Sequence, residues 1–298
     1  SPFLLLVHHN HMFRLNDPTR WIEKSIIPEG FPSHAHRGML TVTICLNGGM
    51  VHRDSLGIKQ VFGVNKIEYS GKHTQALNFG AGVVHELMWD NTPSRRGQQV
   101  INQEIYQIWV DLPTDQRMSN ISVDLLGGKD ETPTVVEKRG SRLKSSTLVI
   151  AGSHRNHKST MAQKSAYTIL LVTVEPGEVW RQSSPTSYHS MILYMRKGSG
   201  TIGGRRVPKH YTAFCSTDGD IEVVAGSQGA DFLYLAGEPL DQNVVARGSM
   251  VGESGQDITD AMKDVNQNKM GKPWEVGISD AEWRRHIRFH PCSYNAEE

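Results

Sequence analysis

The sequence predicts an all-β chain of two similar β units, followed by short C-terminal helices. Three observations carry that expectation. Stretches of period-two alternation recur along the chain, turn residues punctuate them roughly every ten residues, and helical periodicity is confined to the C-terminal end. At 298 residues the chain also exceeds the size that one hydrophobic core usually serves, so two domains are expected.

The clearest strand is Leu40-Thr41-Val42-Thr43-Ile44-Cys45-Leu46, large and apolar at even positions and small at odd ones, as a half-buried pleat requires. Asn47-Gly48-Gly49 then turns the chain. A second strand spans Ile105 to Leu112 and stops at Pro113, with shorter pieces around 50–53, 60–69 and 74–79. Residues 114–146 are polar, with Gly127-Gly128 and the mixed charges Lys129, Asp130, Glu131, Glu137, Lys138 and Arg139. They read as a linker that can hold one exposed strand. The pattern resumes with strands at Tyr167–Val174, Met191–Met195, Ile221–Ala225 and Phe232–Ala236, and with a glycine-rich turn from Gly198 to Gly204. Ile258, Met262 and Val265 then define an apolar helix face that ends near Gly271. Ser279-Asp280-Ala281-Glu282 is a capping box, opening a helix on which Trp283 and Ile287 share a face beside Arg284, Arg285 and Arg288.

Composition excludes little beyond a globally basic nucleic-acid binder and a membrane-spanning helix: the net charge is +1 and no long apolar run exists. Cys45, Cys215 and Cys292 are too scattered for a disulfide framework or a CxxC site, which fits a reducing compartment. The expected setting is therefore intracellular, cytoplasmic or nuclear. A start at Ser1 rather than methionine also accommodates an organellar one.

Fourteen histidines are present, and their placement matters more than their number. In an extended segment, residues two apart project to the same side, so His34 and His36 can face one cavity, and antiparallel pairing can bring His85 to them. Imidazoles with a carboxylate and open positions suit Fe(II), and also Mn, Ni or Cu. On its own HxH is a weak signal. His8, His9 and His11 read as edging a strand or loop rather than forming a site, and His154, His157, His189 and His210 as ordinary polar residues.

Motifs in sequence order sharpen this reading. Gly30-Phe31-Pro32-Ser33-His34-Ala35-His36-Arg37-Gly38 with Thr41-Val42-Thr43, then Met50-Val51-His52-Arg53-Asp54-Ser55-Leu56-Gly57, then Gly80-Ala81-Gly82-Val83-Val84-His85, and Gln107-Ile108-Trp109-Val110-Asp111-Leu112-Pro113 resemble the pirin family. In the second half, Gly198-Ser199-Gly200 and the run Leu235 to Val245 resemble that family's C-terminal cupin. The resemblance implies a bicupin of two stacked β-barrel or jelly-roll domains. With the patterning above, it gives an N-terminal pirin-type cupin at 1–113 and a C-terminal cupin at 147–245, joined by the linker at 114–146 and followed by helices and a tail at 246–298. It also implies one iron held in the first cupin by three histidines and a glutamate, and His34, His36 and His85 fall on the histidine positions. The glutamate position, two residues after the last histidine, is Leu87. Glu86 is one residue early, pointing to the opposite face unless a bulge redirects it, so iron retention is in doubt.

The departures extend to Gly71-Lys72-His73, where the family has a P-G-D turn, and to the tail beyond about 271 with Trp274, Trp283 and Cys292. Together they favour, narrowly, a non-enzymatic binding or scaffold component, or a regulatory cofactor. The tail would then engage a protein or a larger RNA-containing assembly. The alternative is a metal-dependent dioxygenase of the quercetinase type, taking a flavonol, a small aromatic substrate, and O2.

Overall fold

The computed structural model describes residues 1–20, 28–216 and 219–294; the last four residues of the expected tail lie outside these. The chain is mostly β and divides into two compact units.

One unit comprises Phe3–Leu126 together with the chain from Gln242 onward. Its strands are β1 (Phe3–Arg14), β2 (Gly30–His36), β3 (Met39–Asn47), β4 (Gly49–Asp54), β5 (Lys59–Gly63), β6 (Lys72–Asn78), β7 (Val83–Trp89), β8 (Val100–Asp111) and β9 (Ser122–Gly127). They form two sheets, in the orders β1-β8-β3-β6-β9 and β2-β7-β4-β5. The expected strand at Leu40–Leu46 is β3. It is more deeply placed than a half-buried pleat, because Thr41 and Thr43 are closed off as fully as Val42 and Ile44. Between β8 and β6 it is a central strand, and small side chains there leave both faces covered.

The other unit comprises Ser1–Pro2 and Gly127–Asp241. It contains β10 (Thr134–Arg139), β11 (Arg142–Ala151), the small hairpin β12 (Ser153–His154) and β13 (His157–Lys158), β14 (Tyr167–Val174), β15 (Val179–Gln182), β16 (Ser190–Ile202), β17 (Arg205–Pro208), β18 (Thr212–Phe214) and β19 (Ile221–Gly237). The main sheet runs β10-β11-β14-β19-β16-β17, with β15 on β19 and β18 on β16. Its core gathers Trp180, Leu193, Met195, Val223, Phe232 and Tyr234, with His154 stacked on Trp180 at 5.6 Å.

Three expectations need correction here. Within 114–146, β9, β10 and the start of β11 are strand. β10 pairs with β11 alone as an edge strand, which is why its charged residues face water and read as linker. The stretches 221–225 and 232–236 are one strand, β19, and the glycine-rich segment from Gly198 is strand as far as Ile202, where β16 ends. Glycine marks bulges as well as turns: the β16–β19 register shifts between Gly198 and Gly200. A Cβ on Gly198 would sit 2.1 Å from the Gly229 carbonyl oxygen, so that close approach requires glycine.

The chain then returns to the first unit as the hairpin β20 (Val245–Arg247) and β21 (Met250–Gly252), followed by α1 (Gly255–Asn266) and α2 (Asp280–Phe289). Both helices carry complete capping boxes, Ser254 with Asp257 and Ser279 with Glu282, the second as expected. The packed face of α1 uses Ile258 and Val265 as expected, with Ala261 buried in place of Met262, which is 40% exposed. On α2, Trp283 is fully buried and Ile287 packs beside it. The tail thus lies on the first barrel, in one cluster with Ala35, Val84 and Met250, rather than on the second unit. Among the described residues, no helix is long and apolar enough to cross a membrane.

Candidate metal centre

β2 and β7 pair antiparallel with a register shift between Phe31 and His34. Pro32 has no N–H to give a ladder, so the shift falls where a proline is tolerated. Beyond it His34 lies directly opposite His85, and His36 opposite Val83. The ring nitrogens that His34, His36 and His85 can offer all lie within 4.8 Å of one another. A shared ion with bonds of about 2 Å fits that spread.

The hydrogen bonding fixes what these rings offer. His34 Nδ1 lies 2.6 Å from the Pro32 carbonyl oxygen, which only a protonated Nδ1 can satisfy, so His34 Nε2 is a bare lone pair. His36 Nε2 lies 2.8 Å from that lone pair and must be the donor, leaving His36 Nδ1 as a buried acceptor without a partner. Both nitrogens of His85 are buried and without a partner. Burial, with the neighbouring imidazoles adding to it, holds His36 and His85 well below the usual histidine pKa. His34 is lowered by burial as well, against the pull of the Pro32 carbonyl. Neutral rings converging on one point are what metal ligation needs: the two His85 nitrogens are unclaimed, and an ion that displaced the His36–His34 bond would have three imidazole donors, which suits a first-row divalent ion.

Aromatic rings wall the centre. Phe79 stacks on His36 at 4.2 Å and meets His85 edge-on at 4.9 Å. Trp109 stands edge-on to His36 at 5.4 Å, its buried Nε1 without a partner. Further along the barrel Phe31 and Trp89, 6.4 Å apart, meet His9, His11 and Phe13 from β1. The N-terminal histidines thus do lie on an edge strand, with His8 bonded to Glu104 at 2.9 Å.

Leu87 occupies the interior position that follows His85, packed among Cys45, Met50, Phe62, Trp89 and Ile105. β4 and β7 stay in register from Met50–Trp89 to Asp54–His85, so no bulge turns Glu86 inward. Glu86 is instead 2% exposed on the other face. Arg53 Nε donates to its Oε1 at 2.5 Å and the Trp274 indole N–H to its Oε2 at 2.7 Å. It is a structural carboxylate anchoring the tail.

Other bonds reinforce that anchor. Ser33 Oγ donates to the Trp274 carbonyl at 2.6 Å and accepts from the Trp274 N–H at 2.8 Å. Met270 O accepts from Ser55 Oγ at 2.6 Å and from Val84 N at 2.9 Å. Arg37 of the HxHRG segment donates to Asp264 on α1 at 2.8 Å. Burial opposes ionisation of Asp264, but hydrogen bonds from Lys269, Tyr294 and Arg37 outweigh it and hold the carboxyl at about 2.

Trp109, His52 and Asp54 stand in the sequence only as members of family-like motifs, with no role at the centre assigned to them. The usable signal was spacing, since His52-Arg53-Asp54 has the same two-residue period as His34-Ala35-His36.

A β-barrel enclosing three convergent imidazoles, followed by a second unit of the same all-β kind, defines a metal-type bicupin. Residues 1–110 match the family model described as Pirin and residues 169–271 the one described as the pirin C-terminal cupin domain, and the chain belongs to the pirin family. A pirin-like protein of Arabidopsis thaliana is 27% identical over 270 residues, covering 87% of this chain and 81% of that protein. A Vibrio cholerae protein named for quercetin 2,3-dioxygenase is 29% identical over 242 residues, covering 80% and 78% of the two chains. The crystal structure of a quercetin 2,3-dioxygenase from Acinetobacter baumannii superimposes with a TM-score of 0.77 at 25% identity, covering 91% of this chain and 87% of that one.

Proposed function

We propose that this pirin-family bicupin holds one divalent transition metal between His34, His36 and His85 and uses it for dioxygenase chemistry on a planar aromatic enol of the flavonol type. The observation that carries this reading is the convergence of three imidazoles, with His36 Nδ1 and both nitrogens of His85 buried and without a partner. Each buried polar group left unpaired costs about 1–3 kcal/mol. A barrel kept for its outer surface alone gains nothing from that cost, whereas a metal site recovers it. Iron is the metal that the family resemblance favours, and an imidazole-only donor set also accommodates copper or nickel.

Such an ion would supply Lewis acidity toward an enolate oxygen and redox access to dioxygen. The protein's own groups divide the remaining work. Phe13, Phe31 and Trp89 offer aromatic faces on which a flavonol's rings can stack. The Trp109 indole N–H is a spare donor beside His36 for a substrate oxygen. Glu86 is committed to Arg53 and Trp274, so removal of the enol proton does not fall to it.

A second reading keeps the fold for partner binding, and one observation favours it: Arg284, Arg285 and Arg288 stand exposed on α2. The tail's indoles do not join that surface, because Trp274 and Trp283 are buried in their own barrel. Elemental analysis of the purified chain, with quercetin loss and oxygen uptake followed together, separates the two. Near-stoichiometric metal with turnover, both lost in His85→Ala, is expected. A folded, metal-free chain would hand the protein to the second reading.

A further inference from the structure

We infer that His52 and Asp54 are positioning residues for the centre, acting through His85. This rests on the metal-site reading above. On β4 and β7, Asp54 pairs directly with His85, and His52 with Leu87. These residues share one face of the sheet, and it is the interior one. Both His52 and Asp54 are completely buried.

Asp54 is held on all sides. Its Oδ1 accepts the backbone N–H groups of Leu56 and Ile58 at 2.9 and 3.0 Å. Its Oδ2 lies 3.0 Å from His52 Nε2. A carboxylate there places the His52 proton on Nε2, so Nδ1 is a bare acceptor, buried and without a partner. The His52 and His85 ring centres are 5.5 Å apart, and His85 also has two buried nitrogens without a partner.

A histidine that ligates a metal with one nitrogen almost always donates its other N–H to an acceptor. His85 has no carbonyl or carboxylate partner, and the unclaimed acceptor beside it is His52 Nδ1. With an ion bound through one nitrogen, the other N–H of His85 is directed to His52 Nδ1, either directly or across one water. Asp54 thereby fixes the tautomer of His52, and His52 that of His85. The pair also returns negative charge to a centre whose interior position 87 is apolar. The carboxylate that the motif lacks in contact with the ion is present two imidazoles away.

The test uses the full chain and Co(II) as the probe, with affinity measured by chelator competition and apo melting followed in parallel. Asp54→Asn keeps an oxygen for the Leu56 and Ile58 N–H groups but turns an N–H toward His52, forcing its proton onto Nδ1. His52→Phe keeps the ring volume and removes the acceptor. Each is expected to weaken Co(II) binding about 10–100-fold. His52→Gln, which carries both an acceptor and a donor, should stay close to the parent protein. Nitrogen-15 NMR of the apo chain should place the His52 proton on Nε2. Parent-like Co(II) affinity in Asp54→Asn and His52→Phe overturns the inference. If both melt early, a His52 proton found on Nδ1 in the parent overturns it instead. A folded parent that takes no Co(II) fails at the prior step and removes the metal reading itself.

Discussion

Replacing Trp274 tests whether the tail is part of the fold or an appendage. The indole is 6% exposed, and its N–H donates to a carboxylate that is itself 2% exposed. Trp274→Phe keeps most of the buried apolar area and deletes the donor. A hydrogen bond to a charged group contributes about 1.5–3 kcal/mol, so a loss of that order is expected. Trp274→Ala adds a cavity, and truncations of this kind cost about 3–5 kcal/mol. Ending the chain at Gly271 removes Trp283 as well. The two indoles alone then forfeit about 6–10 kcal/mol, comparable to the whole stability of an ordinary domain. Scanning calorimetry with hydrogen exchange on β2 and β7 reads the series. The order expected is parent, Phe, Ala, truncated chain, with protection of β7 lost in the last. A truncated chain that melts like the parent would refute the reasoning and return the tail to the role of a free docking arm.

Three further outcomes follow from the centre. His36→Ala and His85→Ala should each abolish stoichiometric metal, checked by elemental analysis after dialysis, because two imidazoles cannot hold what three converge on. Leu87→Glu should show opposite effects in two assays. The apo melting point should fall, since an unpaired carboxylate enters an apolar cluster, while added Ni(II) should raise it more than in the parent by mass action. The apo protein should also lose stability on acidification below about pH 6.5, the ordinary histidine value. There the unfolded chain takes up protons at His36 and His85 that the folded chain, with its depressed values, refuses. The loss is up to about 1.4 kcal/mol per pH unit for each ring until the folded pKa is passed, and denaturant titrations at several pH values measure it.

Much of the first barrel was legible because local chemistry and burial agree there. β3 alternates cleanly, β8 is an apolar, β-branched and aromatic run stopped by proline, and the HxH spacing on an extended segment meets His85 by antiparallel pairing. Strand alternation alone also sets Glu86 outward. Two kinds of feature were not legible. Glycines 198, 226 and 229 carry the same letter whether they end a strand or bulge it, and only the partner strand decides. The destination of the tail depends on contacts more than two hundred residues apart in sequence, such as Ser33 with Trp274, which no local pattern encodes. The His52–Asp54 pair was hidden differently: its motif was visible, but its meaning lies in which nitrogen is left without a partner.

The buried carboxylate at position 86 has a consequence for how such chains can diverge. It is best satisfied while Arg53 and the Trp274 indole are both present, and those are more than two hundred residues apart in the sequence. A descendant that shed the C-terminal extension would leave the glutamate with Arg53 alone, and one that lost the glutamate would leave Arg53 with only the Ile278 carbonyl and Asp280. The three positions should therefore be gained and lost as one heritable unit. An acidic residue directly after the third histidine of the centre, in the first third of this sequence, then becomes a marker for whether the distant strap is still encoded.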